Sequence, residues 1–290
     1  MEGTLPALPP NVVDELVLRA LEEDGAYDDI TTRLLVIGEQ WGRGVFVAKD
    51  DGVVCGLPVA AAAMTALDDE VSFDTLVEEG QRVSPGAELA EVEGPLATIL
   101  AAERVALNFL QRMSGVATAT RRFVEAVQGT KAAILDTRKT TPGLRVLERY
   151  AVRCGGGRNH RYNLSTAILI KDNHIAAAKQ RGFGDVEEIV LLAKRGAPHT
   201  MRIEVEVTNM EDLRDALKAG ADVILLDNMD VAQIREAVAI VGGRALVEAS
   251  GGVTIDSVRA IAEAGVDYIS VGRLTHSAPA MDISLEVGLG

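Results

Sequence analysis

Two arginines and two lysines with contrasting chemistry stand close together in the middle of the chain: Arg138, Lys139, Arg161 and Lys171. A guanidinium pairs with a carboxylate through two parallel hydrogen bonds, whereas a lysine ammonium is a compact charge that suits phosphate oxygens. The expected ligand therefore carries both carboxylate and phosphate groups. His160, beside Arg161, is expected either to hydrogen-bond this ligand or to shape the loop.

The same stretch is a basic island in an acidic protein. Residues 136–175 hold eight Lys and Arg against three acidic residues, while the whole chain of 290 residues carries a net charge of −14. Such an island suits a small, strongly anionic substrate, and the overall charge argues against general binding of nucleic acid or anionic membranes. Part of it has an alternative interpretation as a solvated helix face, formed by residues at helical spacing: Arg145, Glu148, Arg149 and Arg153.

Carboxylates stand where the next apolar runs end. Glu204 and Glu206 are two residues apart on a predicted strand, so their side chains point to the same face, and Asp227 ends the following strand. If this face is interior, the carboxylates need a cation, a metal or hydroxyl donors, since a buried unpaired charge is costly. Their oxygens favour Mg²⁺ over zinc. A structural ion pair with the basic island is the alternative.

A glycine-rich turn and a later glycine predict a phosphate cradle. Ser250, Gly251 and Gly252 open a helix for which Thr254 is the expected N-cap, and Gly272 ends the next strand. Backbone N–H groups at such a turn and at a helix N-terminus bind phosphate. An ordinary turn is the alternative.

The elements that must position these residues recur as short apolar runs rich in β-formers. The last four runs begin about 20 to 23 residues apart, which leaves room for one strand, one helix and short turns. This spacing predicts an α/β fold, a β/α barrel whose site lies at the carboxyl ends of its strands, with an open doubly wound sheet as the alternative. The predicted strands are Ile134–Asp136, Ala167–Ile170, Ile203–Val207, Val223–Asp227, Ala245–Glu248 and Tyr268–Val271.

The residue pattern before residue 115 differs from the later β/α series and predicts a separate N-terminal α+β domain. Helical patterns cover Asn11–Glu23 and Ala97–Met113, and short strand-like runs lie between them, in a pattern that resembles a barrel-sandwich. We expect domains at 1–115 and 116–274, with the tail at 275–290 returning to the first domain. Thr208 with Glu211 predicts a capping box for a later helix.

Targeting and redox signals are weak throughout the sequence. No apolar run of 18 residues occurs, and residues 1–11 lack a signal-peptide core, so a cytoplasmic location is expected. Cys55 and Cys154 are too few for a disulfide framework and lack zinc-like spacing. We expect both to be reduced and buried.

Taken together, several long strings closely resemble the quinolinate phosphoribosyltransferase family, and the resemblance spans nearly the whole chain. It lies in the segments 136–145 (DTRKTTPGLR), 155–161 (GGGRNHR), 169–175 (LIKDNHI), 225–229 (LLDNM), 103–115 (ERVALNFLQRMSG) and 250–252 (SGG), with weaker likeness at 22–24 and 28–31.

The resemblance implies transfer of phosphoribose from phosphoribosyl pyrophosphate to quinolinate, with loss of CO₂ and release of nicotinate mononucleotide and pyrophosphate. By this resemblance Lys139, Glu206 and Asp227 are catalytic, and Mg²⁺ is held by Glu206 and Asp227 through substrate or water. The implied substrate-binding residues are Arg104, Thr137, Arg138, His160, Arg161 and Lys171, and the implied 5′-phosphate site is Ser250, Gly251, Gly252 and Gly272.

The resemblance also implies an incomplete barrel of six or seven strands and a homodimer with shared sites, in which Arg104 comes from the neighbouring subunit. The rival hypotheses are a related phosphoribosyltransferase acting on nicotinate or another heterocycle, a non-catalytic barrel that binds nucleotide, and a lyase with Lys139 or Lys171 as a Schiff base.

Overall fold

The computed structural model describes residues 7–36 and 40–289 in two compact units. Unit 1 comprises residues 1–121, 140–156 and 274–290, and unit 2 comprises residues 122–139 and 157–273. The domain boundaries expected from the sequence, 1–115 and 116–274, stay a prediction; residues 1–6, 37–39 and 290 lie outside the described residues.

Eleven α-helices and twelve strands are assigned in the described ranges. The helices are α1 (Pro10–Asp24), α2 (Ile30–Leu35), α3 (Leu57–Thr65), α4 (Leu96–Ala126), α5 (Arg145–Cys154), α6 (Asp172–Gln180), α7 (Val186–Gly196), α8 (Met210–Lys218), α9 (Val231–Val241), α10 (Ile255–Glu263) and α11 (Arg273–His276). The strands are β1 (Trp41–Ala48), β2 (Gly52–Val53), β3 (Ser72–Thr75), β4 (Arg82–Val83), β5 (Glu88–Pro95), β6 (Ala133–Leu135), β7 (Ile168–Ile170), β8 (Ile203–Val207), β9 (Val223–Asp227), β10 (Leu246–Ser250), β11 (Tyr268–Ser270) and β12 (Ile283–Leu289).

Unit 1 is built around an antiparallel sheet in the order β12-β1-β5-β3, with a small β2-β4 pair beside it. The tail strand β12 pairs along β1, from Ala48 with Ile283 to Gly42 with Leu289. Gly115 in α4 lets residues 279 and 280 pass, because a Cβ there would lie 2.0 Å from the carbonyl oxygen of Pro279. The tail is therefore part of the packing of unit 1.

Both cysteines are free and buried in unit 1, as expected. They lie near Glu79, whose carboxylate accepts hydrogen bonds from the backbone N–H groups of Gly56 and Leu57 at the start of α3. The Cys154 thiol donates to the same carboxylate at 3.7 Å. Burial, followed by the hydrogen bond with Cys154 and the charge of Glu79, raises the pKa of Cys55 well above its usual value. This cluster holds a helix N-terminus, and the raised pKa keeps the Cys55 thiol in its protonated, unreactive form.

The solvated-face interpretation of the 145–153 helix is wrong for Glu148 and Arg149, whereas Arg153 is exposed. Glu148 is 1% exposed and Arg149 8% exposed, both on α5. Glu148 accepts from the guanidinium of Arg112 at 2.6 Å and from the Thr141 hydroxyl at 2.7 Å. This part of the basic island therefore supports the packing of unit 1, because a buried carboxylate is stable only when it is paired and hydrogen-bonded.

Unit 2 is an incomplete β/α barrel of six parallel strands, in the order β6-β11-β10-β9-β8-β7. The first strand of the unit, β6, pairs with the last, β11. From β7 to β11, each strand pairs with the next one along the chain. This is the cyclic order of a barrel; a doubly wound sheet instead reverses direction at a central switch point. Among the described residues no pairing joins β6 to β7, so the barrel stays open there.

The helix ends of unit 2 follow from local sequence. Thr254 caps α10 in a capping box with Ser257, as predicted. The predicted cap at Thr208 is wrong, since the side chain of Asn209 accepts from the N–H groups of Glu211 and Asp212. An amide oxygen caps a helix as well as a hydroxyl does, and Asn209 is one residue closer to the first turn. In the described part of the chain no helix is long and apolar enough to cross a membrane.

Candidate active site

The carboxyl ends of the barrel strands surround one cavity of about 470 Å³ in unit 2. Most of the residues that line it follow a strand or end one. The sequence-predicted residues among them are Thr137, Arg138, Lys139, His160, Arg161, Lys171, Glu206, Asp227, Ser250, Gly251 and Gly252. Leu169, Leu225, Asn228, Glu248 and Ser270 complete the lining.

Two predicted residues lie elsewhere. Gly272 follows β11 but is not one of the described residues that line the cavity. Arg104 lies on α4 of unit 1, where its guanidinium is 3.7 Å from the carboxylate of Glu103 and its side chain is 58% exposed. Their assigned roles stay predictions.

Asp136, fully buried at the end of β6, fixes the loop that carries His160 and Arg161. Its two oxygens accept from the backbone N–H of His160 at 2.7 Å and from the Asn159 amide at 2.6 Å. A parallel β-bridge between Leu135 of β6 and Arg158 joins the same loop to the strand. These two hydrogen bonds hold the loop in place. The buried carboxylate is stable there because each of its oxygens accepts a hydrogen bond.

The two guanidiniums of the cavity influence each other. Burial, and after it the charge of Arg138, lowers the pKa of Arg161. Arg161 also donates from Nη1 to the carbonyl of Ala167 at 3.1 Å, which orients its plane. Like charges brought together in a partly buried cavity are relieved by a bound anion, so this side of the cavity is suited to a carboxylate ligand.

Glu204 and Glu206 point to the interior face of β8, as their spacing indicated, and both are buried. Glu206 accepts a hydrogen bond from the ammonium of Lys171, the residue that follows β7. The Nε2 atom of His160 lies 3.2 Å from Glu204 and 3.6 Å from Glu248 on β10. The basic island therefore supplies the cations that the buried carboxylates need.

The titration of these groups is shifted by burial and by each other. Burial opposes the charged form of His160, but its hydrogen bond to Glu204 and the charges of Glu248, Glu204 and Asp136 outweigh this and raise its pKa. Burial and the charge of Glu204 raise the pKa of Glu248 to about 7. The backbone N–H of Arg161 donates to Nδ1 of His160 at 2.7 Å, so the ring proton lies on Nε2, towards Glu204. With the pKa of Glu248 at about 7, a further proton resides in this cluster near neutral pH.

The turns after β9 and β10 are hydrogen-bonded and closely packed at the opposite wall of the cavity. Asp227 accepts from the side-chain amide of Asn228 at 2.7 Å, and the backbone N–H of Asn228 donates to Ser250 at 3.0 Å. Asn228 has a positive φ of 54°. Gly251, with φ of +94°, passes so close that a Cβ there would lie 2.2 Å from Oδ1 of Asn228. Only glycine fits this approach.

The same glycine turn leads into α10, whose first N–H groups are oriented by the Thr254 cap. Ser250, Gly251 and Gly252 all line the cavity. A glycine turn followed by a helix N-terminus presents N–H donors and a partial positive charge to an anion. This wall can accept a phosphate without a dedicated basic side chain.

Glu248 and Ser270 are cavity residues that were not anticipated. The available signal was the alternation of Glu248 and Ser250 with Val247 and Ala249, which resembles the Glu204 and Glu206 pattern two strands earlier. A lone carboxylate inside an otherwise apolar strand is costly unless it has partners, so its presence is informative.

Oxygen donors suited to a hard divalent cation stand on β8 and β9. Glu206 is the second-last residue of β8 and Asp227 the last of the neighbouring β9, and both line the cavity. Glu206 already pairs with Lys171, so a cation near it would also need oxygens from a ligand or water.

Comparison with known families gives two matches that together cover most of the chain. Residues 29–114 match the family model described as the N-terminal domain of quinolinate phosphoribosyl transferase, and residues 116–286 match that of its C-terminal domain. A probable nicotinate-nucleotide pyrophosphorylase (carboxylating) of Bacillus subtilis is 43% identical, over 92% of this chain and 90% of its own. The protein of the same description from Synechocystis is 39% identical, over 97% and 94%.

Solved structures give the same result. The nicotinate-nucleotide pyrophosphorylase of Francisella tularensis is 38% identical, with a TM-score of 0.91 over 99% of both chains. NadC from Streptococcus pyogenes is also 38% identical, with a TM-score of 0.93 over 98% of this chain and 99% of that one. Human nicotinic acid phosphoribosyltransferase, 14% identical with a TM-score of 0.63, is similar in fold alone.

Proposed function

The chain belongs to the quinolinate phosphoribosyltransferase family, and we propose that it forms nicotinate mononucleotide from quinolinate and phosphoribosyl pyrophosphate. The ring nitrogen of quinolinate bonds to C1 of the ribose, pyrophosphate leaves, and the 2-carboxylate departs as CO₂. A proton then replaces it on the ring carbon. The reaction is a decarboxylating pentosyl transfer in NAD biosynthesis.

One observation carries this proposal: a single cavity is lined by four cationic side chains, by carboxylates and by a glycine cradle. Neither the cations nor the cradle alone would suffice. A dicarboxylate needs the guanidinium side, whereas a sugar diphosphate with an additional 5′-phosphate needs ammonium groups and backbone N–H donors.

Arg138 and Arg161 are proposed to hold the two carboxylates of quinolinate. The mutual repulsion of the two guanidiniums supports this, since a dianion between them removes it. Thr137 and His160 border the same side and would fix the orientation of the ring. Orientation matters because the ring nitrogen must face the ribose carbon in line with the departing pyrophosphate.

Glu206 and Asp227 are proposed to face the ribose. As pyrophosphate leaves, positive charge develops at the ribose carbon, and a nearby carboxylate stabilises such a state as it does in glycoside hydrolysis. Lys139 and Lys171 would neutralise the charge that accumulates on the leaving pyrophosphate. The pairing of Lys171 with Glu206 supports this arrangement, because it keeps the ammonium between the positive charge that develops on the ribose and the negative charge on the pyrophosphate.

Ser250, Gly251 and Gly252 are proposed to bind the 5′-phosphate through backbone N–H groups, with the N-terminus of α10 behind them. Gly272 is proposed to extend this cradle from the neighbouring strand. These groups anchor the end of the sugar that does not react, and binding energy from such a remote group is used for positioning.

Mg²⁺ fits the oxygen donors of Glu206 and Asp227, provided that phosphate oxygens of the substrate or water complete its coordination. When bound, it would supply charge neutralisation on the pyrophosphate. Decarboxylation itself needs little help from side chains, because the quaternised ring nitrogen stabilises the adjacent carbanion.

A homodimer with shared sites, in which Arg104 of one subunit serves the site of the other, is part of the proposal. The exposed guanidinium of Arg104 supports it. The expected cytoplasmic location stays a prediction.

A steady-state assay of quinolinate against nicotinate tests the function. With phosphoribosyl pyrophosphate and Mg²⁺ present, we expect nicotinate mononucleotide from quinolinate and at most a trace from nicotinate, because the second carboxylate is needed to satisfy both guanidiniums. Comparable rates on the two rings would assign the chain to a related transferase, and no product from either would favour a non-catalytic nucleotide-binding barrel.

A further inference from the structure

His160, Glu204 and Glu248 form a buried charge cluster at the floor of the cavity. One ligating atom of each lies within 4.8 Å of the others, and the two glutamate side chains are 9% and 3% exposed. Nδ1 of His160 accepts from the backbone N–H of Arg161, so the imidazole is the Nε2–H form and the ionised carboxylates leave the cluster with a net negative charge. A net charge held away from water is costly, so the cluster is poised to accept a proton.

Two properties of the carboxylate oxygens indicate where that proton binds: whether they have a hydrogen-bond partner and whether their residue lines the cavity. Oε1 of Glu204 and Oε1 of Glu248 are buried and have no hydrogen-bond partner among the described residues. Glu248 lines the cavity, so its carboxyl responds directly to the charge of a ligand. Glu204 does not appear among the lining residues, and its other oxygen already accepts from His160.

Groups from β8, from β11 and from the loop that carries His160 act on Glu248, whereas the neighbouring strand β9 places the apolar Leu225 opposite it. Burial and the charge of Glu204 on β8 raise its pKa, while His160 and the Ser270 hydroxyl on β11 lower it. The balance leaves the pKa of Glu248 at about 7. The cavity cations also favour its ionised form, until a bound anion neutralises them.

We propose that Glu248 takes up one proton from solvent when the dianionic substrate binds, which lowers the negative charge that the buried cluster presents to it. The new O–H bond forms on the Glu248 carboxyl, and Nε2–H of His160 keeps its hydrogen bond to Glu204. Glu248 is a positioning residue that acts through His160. This inference rests on the proposed function, since the charge of a ring dicarboxylate provides the driving force.

Calorimetric titration of the full-length protein with quinolinate measures this uptake directly. At about pH 8, most free Glu248 is ionised, and the binding heat measured in buffers of different ionisation enthalpy yields the number of protons taken up. We expect close to one per site. The dissociation constant of the wild-type protein should rise about tenfold per pH unit above pH ~7.

Variants locate the proton. Glu248→Gln imitates the protonated carboxyl, so proton uptake should vanish and the affinity should become nearly independent of pH. Glu263→Gln, a control on the exposed side of α10 in the same unit, should behave as the wild type. Ser270→Ala removes a hydroxyl that favours the ionised form, and should move the midpoint of uptake to higher pH.

The outcomes separate this inference from the proposed function. Quinolinate turnover without proton uptake by the wild type overturns the inference and leaves the function intact. Uptake that persists in Glu248→Gln also overturns it, because another group then carries the proton. If Glu248→Gln fails to fold, the wild-type proton count and the Ser270→Ala shift still decide. Absence of quinolinate binding and turnover overturns both.

Discussion

The ammonium of Lys171 donates a hydrogen bond to the carboxylate of Glu206, across the neighbouring strands β7 and β8. Glu206 is 9% exposed, whereas the Lys171 side chain is 44% exposed, so the pair has one buried and one accessible partner. The hydrogen bond holds the buried carboxylate in place where the ribose is proposed to lie, and the accessible ammonium can turn towards a phosphate.

Glu206→Gln tests the role of this carboxylate. The substitution keeps the shape and a hydrogen-bond acceptor but removes the charge opposite the ribose, and we expect kcat to fall about 100-fold. Steady-state kinetics measures the change, with Glu263→Gln as the surface control. A kcat within twofold of the wild type would remove Glu206 from the catalytic machinery.

Arg138→Ala tests the carboxylate site. Loss of a charge-assisted pair should weaken quinolinate binding by about 10- to 100-fold and lower turnover at fixed substrate. Arg235→Ala, at an exposed position on α9, is the matched control. Unchanged quinolinate affinity in Arg138→Ala, measured by calorimetry, would count directly against the assigned role.

Gly251→Ala and Gly252→Ala are a matched pair of substitutions that differ in the space available to the added Cβ. Both positions have positive φ, which costs about 1 kcal/mol for alanine. A Cβ at Gly251 also clashes with Asn228, whereas Gly252 has nothing within 4 Å. We expect Gly251→Ala to raise the KM for phosphoribosyl pyrophosphate more than tenfold and to lower the melting temperature further than Gly252→Ala. Equal effects would refute the close-approach argument.

Glu148→Ala tests the packing of unit 1. The substitution leaves the guanidinium of Arg112 without its carboxylate partner, and we expect the free energy of unfolding to fall by about 3 kcal/mol. Denaturant unfolding measures it, and Glu70→Ala at an exposed position is the control. A loss below about 1 kcal/mol would indicate that the network contributes little.

The pH dependence of stability follows from Glu248. Its pKa is raised from 4.5 to about 7 in the folded protein, so between these values the folded chain binds more protons than the unfolded chain. Stability is therefore lost as pH rises through this window, by up to about 3 kcal/mol. The raised pKa of His160 acts in the same direction. Denaturant unfolding of Glu248→Gln across the window should show a shallower decline, and an unchanged slope would contradict this.

Much of the barrel was predictable because its strands are apolar runs of regular spacing, and each ends in polar residues. Parallel strands bring their carboxyl ends to one edge, so Arg138, Glu206 and Asp227 could be grouped from the sequence. The Thr254 cap was equally readable, since capping depends on neighbouring residues.

Other features depend on contacts between residues far apart in the chain. The partner of Glu148 is 36 positions away, and α5 alone looks solvated. Glu248 meets His160 and Glu204 only when β8, β10 and the loop that carries His160 are assembled. The tail strand β12 pairs with β1 across the whole sequence. Such contacts leave no local periodicity from which they could be predicted.

The central claim is that this cavity joins quinolinate to phosphoribose with loss of the 2-carboxylate. Quinolinate radiolabelled in that carboxylate tests it most directly, with released CO₂ and nicotinate mononucleotide counted in the same reaction. The account predicts equal amounts of both products, formed only when phosphoribosyl pyrophosphate is present. Nucleotide formed without labelled CO₂, or CO₂ released without phosphoribosyl pyrophosphate, would contradict it.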